Sequence, residues 1–249
     1  MDHTTRNYRN FSSLILGIFI LLGAFIIANA YKYKFRNAET ITVTGMAQVD
    51  FTSDLIVWEG RYSRKEADLK SAYASLKQDE QAIRNYFKGK GIPDTAIIFS
   101  AVDLQKEYAN RFDDNGNMVS TTFTGYNLFQ TVKIESRDID KVEGVSRQVT
   151  ELIEQGIEFN SIPPSYYYTR LADLKMDLLA KASADAKQRA STIAESVDSK
   201  LDNLKKASMG VFQITGRNSN EEFSFGGIYN TSERHKTASI TIKMDYTLK

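Results

Sequence analysis

Residues Phe11–Ala30, FSSLILGIFILLGAFIIANA, contain no charged side chain, and this stretch constrains the chain more than any other. At 1.5 Å rise per residue, about 20 helical residues span the roughly 30 Å hydrocarbon core of a bilayer. Three readings compete. An uncleaved anchor is favoured by the long Leu, Ile and Phe run over Leu14–Ile27, which Gly17 and Gly23 interrupt. It is also favoured by the following Tyr31-Lys32-Tyr33-Lys34-Phe35-Arg36, which reads as an interfacial belt of aromatics and cations. A cleavable export signal is favoured by the basic Arg6 and Arg9 and by Ala28-Asn29-Ala30, a small-x-small cleavage pattern. A buried helix of a soluble domain fits poorly with a segment that every Lys, Arg, Asp and Glu avoids. Positive charge on both flanks leaves orientation open. The expected organisation is a cytoplasmic tail (1–10), a transmembrane anchor or signal peptide (11–30), a juxtamembrane linker (31–39) and one folded region (40–249).

Two of the 32 basic and one of the 31 acidic residues precede residue 31, so the remainder balances at 30 against 30. A neutral domain has no electrostatic reason to seek nucleic acid. The chain has no cysteine, which excludes disulfides, thiolate metal sites and thiol redox chemistry. Three prolines in 249 residues argue against a disordered or linker-rich chain.

Periodicity gives the order ββαββαβαββ. Glu39–Phe51 alternates as a strand, and Leu55–Tyr62 follows after the turn Thr52-Ser53-Asp54, a spacing that predicts an antiparallel hairpin. Leu69–Lys88 has helical spacing through Leu69, Ala72, Tyr73, Leu76, Ile83, Tyr86 and Phe87. Ile97–Tyr108 and Phe123–Ile134 read as strands about Asp113-Asp114-Asn115-Gly116-Asn117, where Asn-Gly suits a type I′ turn. Ile139–Glu154 is a second helix, and Phe159–Thr169, with Pro163-Pro164, an edge or bulged strand. Leu171–Val197 is the longest helix, with a narrow alanine-rich face, and Asn203–Gly216 and Lys236–Leu248 are the last strands. Alternation from Ile240 to Leu248 gives one buried and one solvated face. The expected class is α+β: antiparallel sheets with helices packed on one face, and a degenerate βαβ duplication as an open alternative.

Several short motifs recur in one order: Ile41-Thr42-Val43-Thr44-Gly45, Thr52-Ser53-Asp54, Gly91-Ile92, Gly125-Tyr126 and Gly156-Ile157-Glu158-Phe159. After them comes an A-x-x-D-A-x-x-R-A run of Ala182, Asp185, Ala186, Arg189 and Ala190. Together they resemble the SIMPL domain family of bacterial periplasmic immunogenic and oxidative-stress-associated proteins, over nearly all of residues 40–248. The resemblance implies an envelope compartment and, from one ring-forming, channel-like member, self-assembly; it implies no defined reaction. The chain departs from the family at Ser53, where a proline is usual, at Val197-Asp198-Ser199, where a glycine is usual, and at Ser232-Glu233-Arg234-His235, which replaces a Pro-Gly turn.

No catalytic constellation stands out. His3 and His235 are the only histidines, and no Gly-x-Ser-x-Gly elbow, Walker loop or zinc-type His pair occurs. Gly89-Lys90-Gly91 is better explained as helix termination than as a phosphate loop, and the Asp113–Asn117 loop has its glycine too early for a calcium loop. Tyr166-Tyr167-Tyr168 reads as strand in preference to a binding platform for sugars or exposed peptides. The long segment Arg217–Arg234 carries Phe223, Phe225, Ile228 and Tyr229, either as a partner contact or as a flexible insertion. The expectation is therefore a non-enzymatic protein with no catalytic, cofactor or metal residues. It is tethered by residues 11–30 to a bacterial inner membrane, single-pass, with its C-terminal domain in the periplasm, or secreted there if the signal is cleaved. It self-assembles or binds protein partners, with a role in envelope or oxidative-stress protection. The alternative from another class is an envelope hydrolase or ligand-binding enzyme, which needs a cleft of convergent Asp, Glu, Ser or Tyr with perturbed acidity.

Overall fold

The computed structural model describes residues 17–32 and 40–249. The expected tail (1–10), the start of the apolar stretch (11–16) and most of the linker (33–39) lie outside the described residues. Residues 17–32 form a helix, α1, whose Ile18, Phe19, Leu21, Phe25 and Ile27 are all exposed. No helix among the described residues is long and apolar enough to cross a membrane.

The chain is α+β, with a five-stranded and a six-stranded sheet. It divides into two compact units, and β1, α4 and β11 contribute residues to both. The first unit takes the beginning of β1 (Thr40–Thr52), most of α4 (Leu171–Ser196), β8 (Leu201–Met209) and the end of β11 (His235–Leu248). In its sheet β11 lies between β1 and β8, with Ile242 opposite Met209 and Leu248 opposite Leu201. Ile240, Ile242, Met244 and Tyr246 are buried, as their alternation predicts. Every fourth residue of α4 from Leu178 to Ala194 is fully buried, and all but Leu178 are alanines. That small face lets β1 approach the helix backbone. A Cβ at Gly45 would stand 2.3 Å from the Ala182 carbonyl oxygen. The helix ends in a Schellman arrangement: Ser199 N–H donates to the Ala194 carbonyl, and Asp198 N–H to that of Glu195. Asp198 takes the left-handed position (φ 55°), which a glycine would occupy without strain.

The second unit is built on β2 (Leu55–Glu66), β5 (Met118–Ser136) and their neighbours β3 (Ile97–Phe99), β4 (Asp103–Phe112), β6 (Phe159–Ser161) and β7 (Ser165–Tyr167). Helices α2 (Leu69–Gly89) and α3 (Ile139–Gln148) start at capping residues Asp68 and Asp138. Their Leu76, Ile83, Phe87, Val142 and Val145 bury against Ile56, Trp58, Tyr62, Leu128, Val132 and Ile134, all from one face of β2 and β5. The same unit holds β9 (Gln213–Gly216), which pairs with the start of β11, and β10 (Ile228–Tyr229), parallel to β9.

Five expectations change. β1 and β2 are not a hairpin; they belong to different sheets, because the donors of their turn go elsewhere. Ser53 N–H donates to the Arg234 carbonyl, Asp54 N–H to the Tyr167 carbonyl, and the Asp54 carboxylate accepts from Thr169. A proline at position 53 could not make the first of these bonds. The strand expected over Ile97–Tyr108 breaks into β3 and β4, where Ser100 N–H turns to the Thr131 carbonyl. The strand expected over Asn203–Gly216 breaks into β8 and β9, where Gly210 N–H donates to the Thr241 carbonyl. The hairpin turn at 113–117 is not type I′: of its residues only Gly116 has positive φ (81°), and the Asp113 carboxylate accepts from the Asn115 and Asn117 amides. The helix expected over Ile139–Glu154 tightens to a 3₁₀ turn over Val149–Gln155 before left-handed Gly156.

Candidate functional site

The four partner-contact candidates separate. Phe225 is completely exposed and Phe223 about two-thirds exposed. Ile228 and Tyr229 form β10 and act as anchors, with Tyr229 lying 6.5 Å from the Tyr167 ring. The loop that carries them is tied down rather than loose. Glu221 accepts from Gly216 N–H and from the Asn230 side chain, and Gln213 donates to the Ser224 carbonyl.

Beneath the loop lies a residue that sequence reasoning missed. Lys236 is wholly buried, and its Nζ donates at 2.6 Å to the carbonyls of both Tyr166 and Asn230. Burial pushes its pKa down to about 8. The signal was its parity, since Lys236 shares the inward face of β11 with Ala238 and Ile240. Between pH 8 and the ordinary lysine value of 10.5, the folded chain has released a proton that the unfolded chain still holds. Stability attributable to this group therefore rises with pH across that window. Lys236→Met is expected to abolish that rise and, by leaving two carbonyls without a donor, to cost about 2–4 kcal/mol at pH 7. Urea midpoints of both proteins at pH 7, 9 and 10 check this; an identical pH dependence would refute it.

The other sequence candidates are consumed by structure. His235 stands at the start of β11 rather than in a turn, its Nδ1 at 3.1 Å from Thr52 Oγ1. The Asp113 carboxylate serves its own turn, and no cluster of potential metal ligands occurs among the described residues. Tyr166 packs toward the core, its hydroxyl pushed up to about 12 by burial and by the neighbouring Glu143, while Tyr168 lies against Phe51. The motif pair Asp185 and Arg189 lines an open groove of about 590 Å³ with Thr42, Thr44 and Gln188. There Asp185 accepts from Met46 N–H at 2.8 Å and from Arg189 Nε at 2.9 Å. These bonds hold the carboxylate below its usual range, a poor setting for a general acid. The pair latches β1 onto α4.

The strongest surface feature is one that sequence reasoning did not single out. β2 ends at Glu66, opposite Tyr126, and beyond that point β4 and β5 continue as a two-stranded arm. Gly125 marks the exit, with φ 146° and the Glu66 carbonyl oxygen only 2.4 Å from where a Cβ would lie. The arm is amphipathic. Leu104, Tyr108 and Phe112 share one side of β4 with Lys106 and Asn110, and Phe123 lies opposite Tyr108, Thr121 opposite Asn110 and Met118 opposite Phe112. The rings of Tyr108 and Phe123 are 5.7 Å apart, and those of Phe123 and Tyr126 are 5.1 Å apart. The reverse side carries Glu107, Ala109 and Arg111 beside Ser120 and Thr122. Phe112, Met118 and Phe123 remain 44–60% exposed. A two-stranded hairpin alone is marginal in water, and large apolar side chains exposed together on one side of it mark an interaction surface.

At the root of the arm an apolar hollow of about 420 Å³ is lined by Leu69, Lys70, Tyr73, Val102, Leu104 and Leu128. Leu69 and Tyr73 belong to the first turns of the α2 apolar stripe, and both stay exposed while Ala72 between them is buried.

Among known proteins, the model of the SIMPL family, "Protein of unknown function (DUF541)", matches residues 41–243. No curated protein matches the chain. The match spans the arm, the hollow and the Asp185–Arg189 latch, so the chain belongs to the SIMPL family.

Proposed function

We propose that this SIMPL protein is a non-enzymatic, membrane-tethered envelope component that works by self-assembly. The observation that carries the reading is the exposed apolar face of the β4–β5 arm, supplemented by Phe223 and Phe225 on a tied-down loop. Residues 11–30 supply the tether to the bacterial inner membrane, with residues 40–249 in the periplasm. The tether is supported by the uncharged sequence and by the apolar side chains that α1 exposes. Envelope or oxidative-stress protection is the role that the family resemblance brings to the reading.

Light scattering of the full chain in mild detergent tests it. A defined mass at a multiple of 28.2 kDa is expected at micromolar protein. A lone 28.2 kDa species at the same concentration would overturn it. The pair Phe223→Ser and Phe225→Ser, which leaves the Glu221 and Lys236 anchors in place, reports whether the loop contributes.

A further inference from the structure

We infer that the hollow lined by Leu69, Tyr73, Val102 and Leu104 is the socket for the arm tip of a second copy of this chain. The inference rests on the self-assembly reading and names the receiving surface, which that reading leaves open.

The hollow and the tip match in chemistry. The hollow's walls are apolar except for Lys70, which makes no ion pair among the described residues. The tip presents Phe112 and Met118, paired across the ribbon, next to Asp113 and Asp114. Asp113 is occupied by its own turn, but Asp114 makes no ion pair among the described residues. One unpaired cation at an apolar hollow and one unpaired anion beside two apolar side chains are complementary. The volume is near the lower end of ordinary binding pockets, enough to accept side chains rather than a whole element.

Geometry assigns the occupant to another molecule. Leu104 lines the hollow, and Phe112 lies eight residues further along the same extended strand. At about 3.4 Å per residue the tip is roughly 27 Å from its own hollow, so the arm cannot reach back. The contact is thus between different patches, head to tail, and each copy offers one tip and one socket. The exposure of Leu69 and Tyr73 then has a reason: helical periodicity dedicates them to an apolar contact that the chain alone does not complete.

The absence of cysteine makes the test clean. Full-length K70C and D114C are made separately, mixed in detergent and treated with a short bismaleimide, with K88C at the other end of α2 as control. The expected result is a linked dimer from K70C with D114C and none from K88C with D114C. In parallel, K70E is expected to weaken association about tenfold, and K70E/D114K to restore it to within about twofold. If light scattering shows an assembly but the linkage and the charge rescue both fail, the socket is overturned while self-assembly stands. If no assembly is seen at all, both are overturned. Linkage without rescue would show that the tip sits near the hollow by another route and would overturn the Lys70–Asp114 complementarity.

Discussion

Replacing Phe112, Met118 and Phe123 together by serine is expected to turn the assembly into monomers at concentrations where the native protein is associated. Full burial of such a side chain contributes about 1.5–3 kcal/mol, and each is roughly half exposed in the single chain. About 0.7–1.5 kcal/mol per side chain is therefore gained on association, or about 2–4 kcal/mol for the three. That corresponds to a dissociation constant raised about 30- to 1000-fold. Sedimentation velocity over a dilution series reads this directly. The side chains lie on a ribbon outside the core of Trp58, Phe87 and Val132, so the urea midpoint should move little. An unchanged dissociation constant would show that the apolar face of the arm is not the contact.

The second large effect concerns folding. Gly45→Ala is expected to destabilise the protein by more than about 3 kcal/mol, at or beyond the upper end for ordinary overpacking. The new Cβ would lie 2.3 Å from the Ala182 carbonyl oxygen and 2.5 Å from the Ala186 amide nitrogen, and backbone cannot rotate away. Any relief would separate β1 from α4 and break the bond from Met46 N–H to Asp185. Gly144→Ala in α3 is the matched control: its Cβ would meet nothing within 4 Å. There the exchange should be neutral or stabilising by about 0.5–1 kcal/mol, from helix propensity. Equal urea midpoints for the two variants would contradict the close approach of strand and helix.

Periodicity made much of this legible. The strict alternation from Ile240 to Tyr246 and the four-residue spacing of alanines on α4 each have one low-energy solution, and both appear in the structure. Pairing was less legible. A two-residue connection looks like a hairpin, but Ser53 and Asp54 give their amides to Arg234 and Tyr167, partners more than 100 residues away. Local sequence holds no record of such a bond. The same holds for the site. Exposure of Phe223 and Phe225 followed from their polar loop, whereas Ile228 and Tyr229 look identical in sequence and are held by β10 pairing. The arm escaped because apolar alternation on a strand signals one buried face without saying what buries it. Only the end of β2 at Glu66 reveals that nothing within the described chain covers Tyr108, Phe112 and Phe123.

Hydrogen exchange of the arm amides against protein concentration shows whether a second copy covers the arm. If a second copy covers the arm, amides within residues 107–124 exchange slowly where the protein is assembled and rapidly once it is diluted to monomer, while the core strand segment around Val132 and Ile134 is unaffected. Rapid exchange of the arm at every concentration would contradict the account.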